Sequence, residues 1–484
     1  MRKKSFGLLL CIAIPLILLC TSRALRRVEL FSDITTGGEY LQGIEKIRQS
    51  KDLYGNLNRL LYYYDQGVLF HYAGLFDSSL VQLQKAEQIS EDLYTRSITN
   101  EAASILTNDN LRPYRGWRYE RILLHELMSF NYLGKNKYDE SLVETRKVQL
   151  VIDNFRSHDK GREKYHDDGM SHYFSSIVYA AQGESDNSHI SLFKSIRAYR
   201  ESPVPLPEIV CNLAYHEFDI AGRDEDIKLL GLEPTVGPDS VTGLDHDQSE
   251  IVLVGYAGNS PVLGETVWWG TYIVDGMLLL HYRNPNGDTV LVRMPAPPLP
   301  EVEKEKRKQK KDGEKVRSGQ TFHVKFALPT PVIRESKTSY FTMRVDSASD
   351  AARSFVVSDL DKIVEKELED RKNSILIRTV LRVVLRTIAA QKAKKEMQTQ
   401  SGVANLLINV GTDILSSQLE KADTRICFLL PKTIQCIRIP VEPGVHILTA
   451  AAHGRGGAIV NRKSWDELSV APVEKKFVFF PSLI

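Results

Sequence analysis

Residues 60–86 read LLYYYDQGVLFHYAGLFDSSLVQLQKA and carry the pattern that decides the fold of the N-terminal half. Apolar residues recur along this stretch at helical spacing, and Gly74 interrupts the period. A glycine between two helical periods is typical of a turn, because glycine adopts the left-handed backbone conformation that ends a helix. The stretch therefore predicts two helices joined by a short turn.

The large and small residues of this stretch match the tetratricopeptide pattern, in which large side chains lie where two helices cross and small ones where they approach closely. The matching residues are Tyr63, Gly67, Phe70, Gly74, Phe76, Ser79, Leu83 and Ala86. The same register returns twice, at Tyr132, Tyr138, Ser141 and Val148, and at Tyr179, Gly183, Ser188 and Leu192. The turn positions Gly74, Asn136 and Gly183 are 62 and 47 residues apart, against about 34 in the regular repeat. We predict irregular helical hairpins with insertions; the alternative is a generic α-helical bundle.

Composition and charge disfavour several classes of protein. The 484 residues are 42% hydrophobic and 26% charged, which is average for soluble globular domains and unlike collagen-like, disordered or polytopic membrane proteins. At roughly 150 residues per domain, this length predicts about three units. The 63 basic and 61 acidic side chains give a net charge of +2, so we expect no nucleic-acid partner.

The first twenty residues have the pattern of an export signal. Basic residues 2–4 precede an uncharged run from Phe6 to Cys20, which is shorter than the roughly 20 apolar residues that span a membrane. The position of Cys20 resembles that of the acylated cysteine in bacterial lipoprotein signals, although Leu19 stands where a small residue is preferred. We predict lipidation at Cys20, with an uncleaved signal anchor as the alternative. Both place the rest of the chain outside the cytoplasm.

Beyond the signal, changes in periodicity predict a multidomain α + β protein. An N-terminal α-helical tetratricopeptide-like repeat domain is followed by an α+β C-terminal region with short antiparallel sheets. The predicted units are the signal (1–20), a tether and first helix (21–50), the helical domain (51–231), a linker (232–248), a β-rich domain (249–346) with a charged loop (301–317), a helical segment (347–424) and a β segment (425–484) that packs with 249–346.

The polar stretch between the first two helical hairpins is the best candidate for a binding segment. It contains Asn108, Asp109, Tyr114, Arg115 and Glu120 among turn-forming residues, and its polar and aromatic density exceeds what a connector needs. Asp109 and Glu120 would be the only carboxylates available there for acid–base chemistry. The alternative is structural: Asn108 and Asp109 cap the next helix, and Tyr114 packs against a hairpin.

Two segments are candidates for contact with an anionic surface. In the predicted helix from Ile375 to Lys395, Arg378, Arg382 and Arg386 recur every four residues beside apolar positions. A cationic amphipathic helix of this kind lies on a membrane, or else buries its apolar side and pairs its arginines with local carboxylates. The charged tract 301–317 carries eight basic and five acidic residues, which is typical of a solvated loop.

No motif of catalytic or metal chemistry is complete. His125-Glu126 and His216-Glu217 begin like a zinc-protease helix, but the second histidine is missing from both. Phosphate-binding loops and nucleophile elbows do not occur in the sequence, so we assign no catalytic residue, metal or cofactor. A two-residue hairpin loop at Pro431-Lys432 would place Cys427 opposite Cys436 and allow a disulfide. Because cross-strand bridges are geometrically strained, we expect two free buried thiols instead.

Together these features resemble a family of uncharacterised bacterial envelope lipoproteins with tetratricopeptide-like repeats. The resemblance covers most of the mature chain. Its carriers are Leu93–Ser97, Asn108–Asn110, Pro113–Gly116, Glu120-Arg121, Ala327–Pro329, the arginine-rich helix, Ala422–Arg425 and Leu430-Pro431. Near the last of these the family tends to carry a tryptophan, where this chain has Ile426 and Cys427. The resemblance implies a lipid-anchored periplasmic protein without an assigned activity.

The sequence therefore predicts a non-enzymatic scaffold in the bacterial cell envelope, anchored to the membrane by lipid and facing the periplasm. Its helical hairpins would offer a concave groove to an envelope protein or peptide. The alternative is an envelope enzyme or ligand-binding protein that acts on cell-wall or polysaccharide material through the segment 108–120.

Overall fold

The computed structural model describes residues 23–99, 109–158, 167–233, 248–299, 317–348, 350–397 and 420–484. Its N-terminal half is helical, and its C-terminal half is built mainly from three four-stranded sheets, which confirms the predicted mixture of α and β regions. The predicted signal with Cys20, Asn108, most of the linker 232–248 and most of the tract 301–317 lie outside the described residues.

Eleven α-helices are described in the first half, and eight of them form hairpins. They are α1 (Arg23–Gly37), α2 (Tyr40–Gln49), α3 (Lys51–Tyr54), α4 (Arg59–Tyr72), α5 (Phe76–Thr99), α6 (Arg118–Leu133), α7 (Tyr138–His158), α8 (Gly169–Ala181), α9 (Ser185–Glu201), α10 (Glu208–Ile220) and α11 (Asp224–Leu230). The pairs α4–α5, α6–α7, α8–α9 and α10–α11 are helical hairpins, of which the last was not predicted.

All four hairpins turn in the same way. Gly74, Asn136, Gly183 and Gly222 have φ values of 74°, 55°, 72° and 65°. In each turn the next amide donates to the carbonyl oxygen four residues before the turn residue, at 2.7–2.9 Å. This hydrogen bond and the left-handed residue define the Schellman motif that ends a helix. Asn136 takes the position of glycine because asparagine tolerates the left-handed region.

Small residues bring the two helices of a hairpin together. Ser79 Oγ donates to the Gly67 carbonyl at 2.7 Å, and Ser188 Oγ donates to the Ser176 carbonyl at 2.8 Å. A Cβ atom at Gly67 would lie only 2.5 Å from Leu83 Cδ2. The predicted close approach at Gly67, Ser79 and Ser188 is therefore observed.

Three sheets follow, and two of them combine strands from before and after the helix Leu360–Met397 in the chain. The strands are β1 (Ser249–Asn259), β2 (Val262–Ile273), β3 (Met277–Arg283), β4 (Thr289–Pro295), β5 (Thr321–Val332), β6 (Tyr340–Val345), β7 (Ala352–Arg353), β8 (Phe355–Asp359), β9 (Pro431–Val441), β10 (Gly444–His453), β11 (Ile459–Val470) and β12 (Lys475–Ser482). The central sheet has the order β12-β1-β9-β8, the outer sheet β11-β10-β6-β7 and the lateral sheet β4-β3-β2-β5. The β1–β12 pair is parallel, whereas the other pairs are antiparallel.

The central sheet is buried on both faces. Every residue of β1 is buried. Val252, Val254 and Tyr256 pack towards the helices, while Ile251 and Leu253 pack towards the outer sheet. The near-continuous apolar sequence of β1 reflects this two-sided burial. The order of layers is thus α5, α7 and α9 on the outside, then α4, α6 and α8, then the central sheet, then the outer sheet.

Polar contacts join the helices to the central sheet. His71 on α4 lies 2.7 Å from the Tyr256 hydroxyl through Nε2 and 2.8 Å from Asn131 Oδ1 through Nδ1. Burial lowers the pKa of His71 to about 4, so its ring is neutral at pH 7. Tyr199 on α9 donates to the Val357 carbonyl of β8 at 2.7 Å. The helical face that we expected to form an open groove is therefore covered by the chain's own sheet, which corrects that expectation.

The long helix α12 (Leu360–Met397) connects two hydrophobic cores. Its first turns place Leu360 and Val364 in the core of the helical half, and later turns place Val380 and Val384 against the lateral sheet. The segment 347–424 is not wholly helical, because β7 and β8 precede α12. Both strands are short, and β8 runs directly into the helix, so hydrophobic periodicity did not distinguish them.

The segment predicted to contain a tether is already helical at Arg23. Arg27 and Phe31 of α1 are buried, and the ring of Phe31 stacks on Phe428 at 6.5 Å between centroids. Helix α1 is therefore part of the folded body. Within the described residues, no helix is both long and apolar enough to cross a membrane.

Candidate functional site

Three sequence features that lie far apart in the chain meet at one place. They are the polar segment that begins at Asp109, the arginines of α12 and the residues 420–425. We call this meeting point the arginine junction and define it by Asp109, Arg382, Arg386, Glu420, Asp423 and Arg425.

The arginines of α12 are paired inside the junction. Arg382 is only 2% exposed, and its guanidinium lies 3.0 Å from Asp109 Oδ2 and 3.4 Å from Glu420 Oε2. Arg386 forms an ion pair with the other oxygen of Glu420. The backbone of Glu420 in turn accepts a hydrogen bond from Ala327 of β5 at 3.1 Å. These contacts hold the segment 420–425 against α12 and the lateral sheet.

Arg425 binds the polar segment to the arginine junction. Its guanidinium donates to the carbonyl oxygens of Asp109 and Arg112, both at 2.7 Å, and forms a bidentate pair with Asp423 at 2.6 and 2.7 Å. The planar fork of arginine suits such simultaneous contacts. Its charge also lies over the ring of Tyr114, 5.2 Å from the centroid.

Glu120 is the buried centre of the polar segment. Its carboxylate accepts hydrogen bonds from the Tyr114 hydroxyl at 2.6 Å, from the Trp117 amide at 2.9 Å and from the Cys427 amide at 2.6 Å. The bond to Trp117 completes a cap at the first turn of α6. Burial raises the pKa of Glu120 to about 7, against the effect of these three donors.

These positions correct part of the predicted binding segment. Tyr114 and Glu120 are buried and bonded to each other, so they do not line a ligand cleft. Asp109 is partly exposed but paired with Arg382, whereas Arg115 is exposed. The predicted structural alternative, in which Tyr114 packs against a hairpin, fits this arrangement, because the buried Tyr114 side chain donates to Glu120 of α6.

The prediction that the arginines of α12 contact an anionic surface also needs correction. Arg382 and Arg386 serve internal ion pairs, and burial of Arg382 leaves it no face for a membrane. Arg378 is partly exposed and is close enough to Arg112 to lower the pKa of that guanidinium further, after the larger effect of burial. The helix therefore packs in its own body, as in the alternative described above.

The two cysteines of the C-terminal segment are free. Strand β9 begins at Pro431, so the expected two-residue hairpin loop does not form. Cys436 lies in β9 opposite Val254 of β1, whereas Cys427 lies before the strand and places Sγ 3.2 Å from Asp65 Oδ1. Burial raises the pKa of both thiols, so both are protonated.

One group of metal-ligand side chains occurs among the described residues. Glu87 of α5, His125 of α6 and Glu144 of α7 place one ligand atom each within 4.8 Å of one another. Lys147 Nζ lies 2.9 Å from Glu87 and 3.1 Å from Glu144. The lysine already supplies the positive charge that two carboxylates need, so this cluster is explained as an ion-pair network between three helices.

A small cleft lies between α6, the start of α8 and α12. Tyr119, Asp168 and Glu367 are among its lining residues, and its volume is about 70 Å³. Glu367 accepts hydrogen bonds from the Arg118 and Tyr119 amides at 2.9 and 3.1 Å, so it caps α6 from α12. The Tyr119 hydroxyl has no hydrogen-bond partner within the described part of the chain. No sequence signal points to Glu367, because it lies almost 250 residues from the helix that it caps.

Comparison with known proteins assigns neither a family nor a function to this chain. No protein-family model matches this chain, and no curated protein matches it either.

Proposed function

We propose that this protein is a non-enzymatic, lipid-anchored scaffold of the bacterial cell envelope, and that its tetratricopeptide-like hairpins bind an envelope protein. Because the central sheet covers the inner face of the hairpins, the partner binds the outer helices. The arginine junction and the central sheet hold the hairpins in a fixed arrangement.

The observation that carries the proposal is an exposed apolar residue at the same position of every hairpin. Val81, Val143, Ile190 and Leu229 each lie seven residues after their turn residue and are 49%, 47%, 42% and 73% exposed. Single exposed apolar residues are common on proteins and need no explanation. Recurrence in one register of four hairpins places these residues on corresponding faces of α5, α7, α9 and α11. We call these four residues the apolar ridge.

The arrangement of α1 fits a lipid anchor at Cys20. Arg23 begins the helix, so three residue steps separate it from Cys20 and span at most about 10 Å. A lipid on Cys20 would hold the folded body directly at the membrane surface. The alternative function, an enzyme or ligand-binding protein acting through the segment 108–120, has weaker support because Tyr114 and Glu120 are internal.

Substitution of the apolar ridge tests the scaffold proposal. The full chain is used to recover partners from detergent-solubilised membranes, alongside a variant with Val81→Ser, Val143→Ser, Ile190→Ser and Leu229→Ser. We expect the ridge variant to recover at least about tenfold less of the partner, since four apolar contacts are lost. A matched control changes four exposed apolar residues elsewhere, Leu41, Val445, Ile447 and Ile459, to serine. Equal recovery by the ridge variant, or no reproducible partner at all, would contradict the proposal.

Labelling with palmitate tests the anchor separately. We expect the wild-type chain to incorporate label and to fractionate with membranes, and the Cys20→Ala variant to lose the label completely. Label retained in full by Cys20→Ala would refute lipidation at this residue without bearing on the ridge.

A further inference from the structure

The lateral sheet has two unlike faces. Its inner face buries Trp268, Tyr272 and Phe326 against Val380 and Val384 of α12. Because side chains alternate along a strand, the neighbouring residues point away from α12.

The outward face combines cations with exposed apolar side chains. Neighbouring strands place Leu291, His281, Trp269 and Lys325 in one row across the sheet, and Arg293, Leu279, Thr271 and His323 in the next row. Arg283 of β3 lies opposite Thr289 on the same face. We call this surface the cationic face.

The cations of this face are not neutralised within the described part of the chain. Arg283, Arg293 and Lys325 are exposed, and none of them forms a hydrogen bond or ion pair there. Neither row across the sheet contains a carboxylate. Glu265 lies at the far end of β2, four residues from Trp269 and close to Lys421. The arginines of α12, by contrast, meet two carboxylates in the junction, Asp109 and Glu420.

Apolar side chains protrude between these cations. Trp269 is 37% exposed, Leu291 is 42% exposed and Val267 is 46% exposed. Trp269 stacks on His281 with 19° between the ring planes, which gives the centre of the face a rigid aromatic surface. Tryptophan and basic residues are the side chains that favour the headgroup region of a membrane. Basic groups near an anionic bilayer each add attraction, whereas carboxylates would oppose it.

We propose that the cationic face binds the surface of an anionic phospholipid bilayer. Trp269 and Leu291 enter the headgroup region, and Arg283, Arg293 and Lys325 contact the lipid phosphates. The proposal does not depend on the apolar ridge or on lipidation of Cys20, because it concerns the added affinity that anionic lipid provides.

Vesicle binding tests the proposal with the full chain. Binding is measured by flotation with vesicles of phosphatidylcholine and with vesicles of phosphatidylcholine mixed with phosphatidylglycerol. Apolar insertion by the N-terminal segment is common to both vesicle types, whereas its basic residues 2–4 add attraction to the anionic vesicles only. The difference between the two vesicle types therefore reports charge recognition by the whole chain, and a charge variant is needed to isolate the cationic face. We expect stronger binding to the anionic vesicles and a marked weakening by added salt.

The variant Arg283→Gln, Arg293→Gln and Lys325→Gln isolates the face. We expect it to lose about 100-fold in affinity for the anionic vesicles and nothing for the neutral ones, because each basic residue contributes about fivefold. The control Lys194→Gln, Arg455→Gln and Arg462→Gln removes the same charge from other exposed positions and should retain anionic binding. Equal binding of the wild type to both vesicle types, or equal losses in the two variants, would overturn the proposal.

Trp269 provides a second measurement that needs no charge variant. Its fluorescence should shift to shorter wavelength when anionic vesicles are added, and the Trp269→Phe variant should lose that shift. A shift that persists in Trp269→Phe would place the contact elsewhere and overturn the proposal. Binding of dextran sulfate without any preference for anionic vesicles would assign the face to a soluble polyanion and overturn it as well.

Discussion

Replacement of Glu250 by alanine is expected to lower the free energy of unfolding by about 3–5 kcal/mol, because it removes the carboxylate that two buried cations share. Glu250 lies on β1 and is fully buried. Its carboxylate accepts two hydrogen bonds from Arg438 of β9, at 2.8 and 2.9 Å, and one from Lys475 of β12, at 2.7 Å. Although burial raises it, these two charges hold the pKa of Glu250 below its ordinary value. The loss is measured as a shift of the denaturant midpoint.

Two controls distinguish the effect of the buried cluster of Glu250, Arg438 and Lys475 from a general effect of removing a charge. The exposed pair of Glu140 and Lys137, 3.2 Å apart, should lose less than about 1 kcal/mol when Glu140 is changed to alanine. Replacing all three members of the buried cluster with apolar residues, as in Glu250→Leu with Arg438→Met and Lys475→Met, should recover most of the loss. A loss below about 1 kcal/mol for Glu250→Ala would show that the cluster does not hold the central sheet together.

The stability of the protein is expected to fall as Glu120 ionises. Its pKa is about 4.5 when exposed and about 7 in the folded chain, where burial raises it. Between these values the folded state binds more protons than the unfolded state, so the free energy of unfolding decreases as pH rises. The stabilisation is fully present below about pH 4.5 and is lost as pH passes through about 7. The total change attributed to Glu120 is about 3 kcal/mol.

Comparison with Glu120→Gln isolates this group from the other titrating residues. The difference in unfolding free energy between wild type and variant should change by about 3 kcal/mol from pH 4.5 to pH 8. Tyr114→Phe removes one donor to the carboxylate, so the decrease should extend to higher pH. A wild-type curve parallel to that of Glu120→Gln over the whole range would show that Glu120 keeps the same charge in both states.

Local sequence was sufficient to predict the helical hairpins. The stretch 60–86 contains both partners of the hydrogen bond that joins α4 to α5, since Gly67 and Ser79 are twelve residues apart. Hydrophobic periodicity, together with a residue that tolerates the left-handed conformation at the turn, is therefore enough to predict a hairpin. The fourth turn at Gly222 follows the same rule, but its second helix, α11, is only seven residues long and gives a weak periodic signal.

The site could not be predicted in this way, because its contacts join distant segments. Asp109 and Arg382 are 273 residues apart in sequence, and the amide that binds Glu120 belongs to Cys427. The spacing of the arginines in α12 was consistent both with membrane contact and with internal pairing, and only the position of Glu420 decides between them. Similarly, the helical pattern gave no indication that the central sheet would cover the inner face of the hairpins.

Site-specific photo-cross-linking of the apolar ridge tests the scaffold account most directly. A photoreactive amino acid is placed in turn at Val81, Val143, Ile190 and Leu229 of the full chain in living cells, with Val445 on the outer sheet as the reference position. We expect one cross-linked species of the same mass from the ridge positions and none of that mass from Val445. Failure of every ridge position to give a discrete cross-linked species would contradict the scaffold account, as would the same species from Val445.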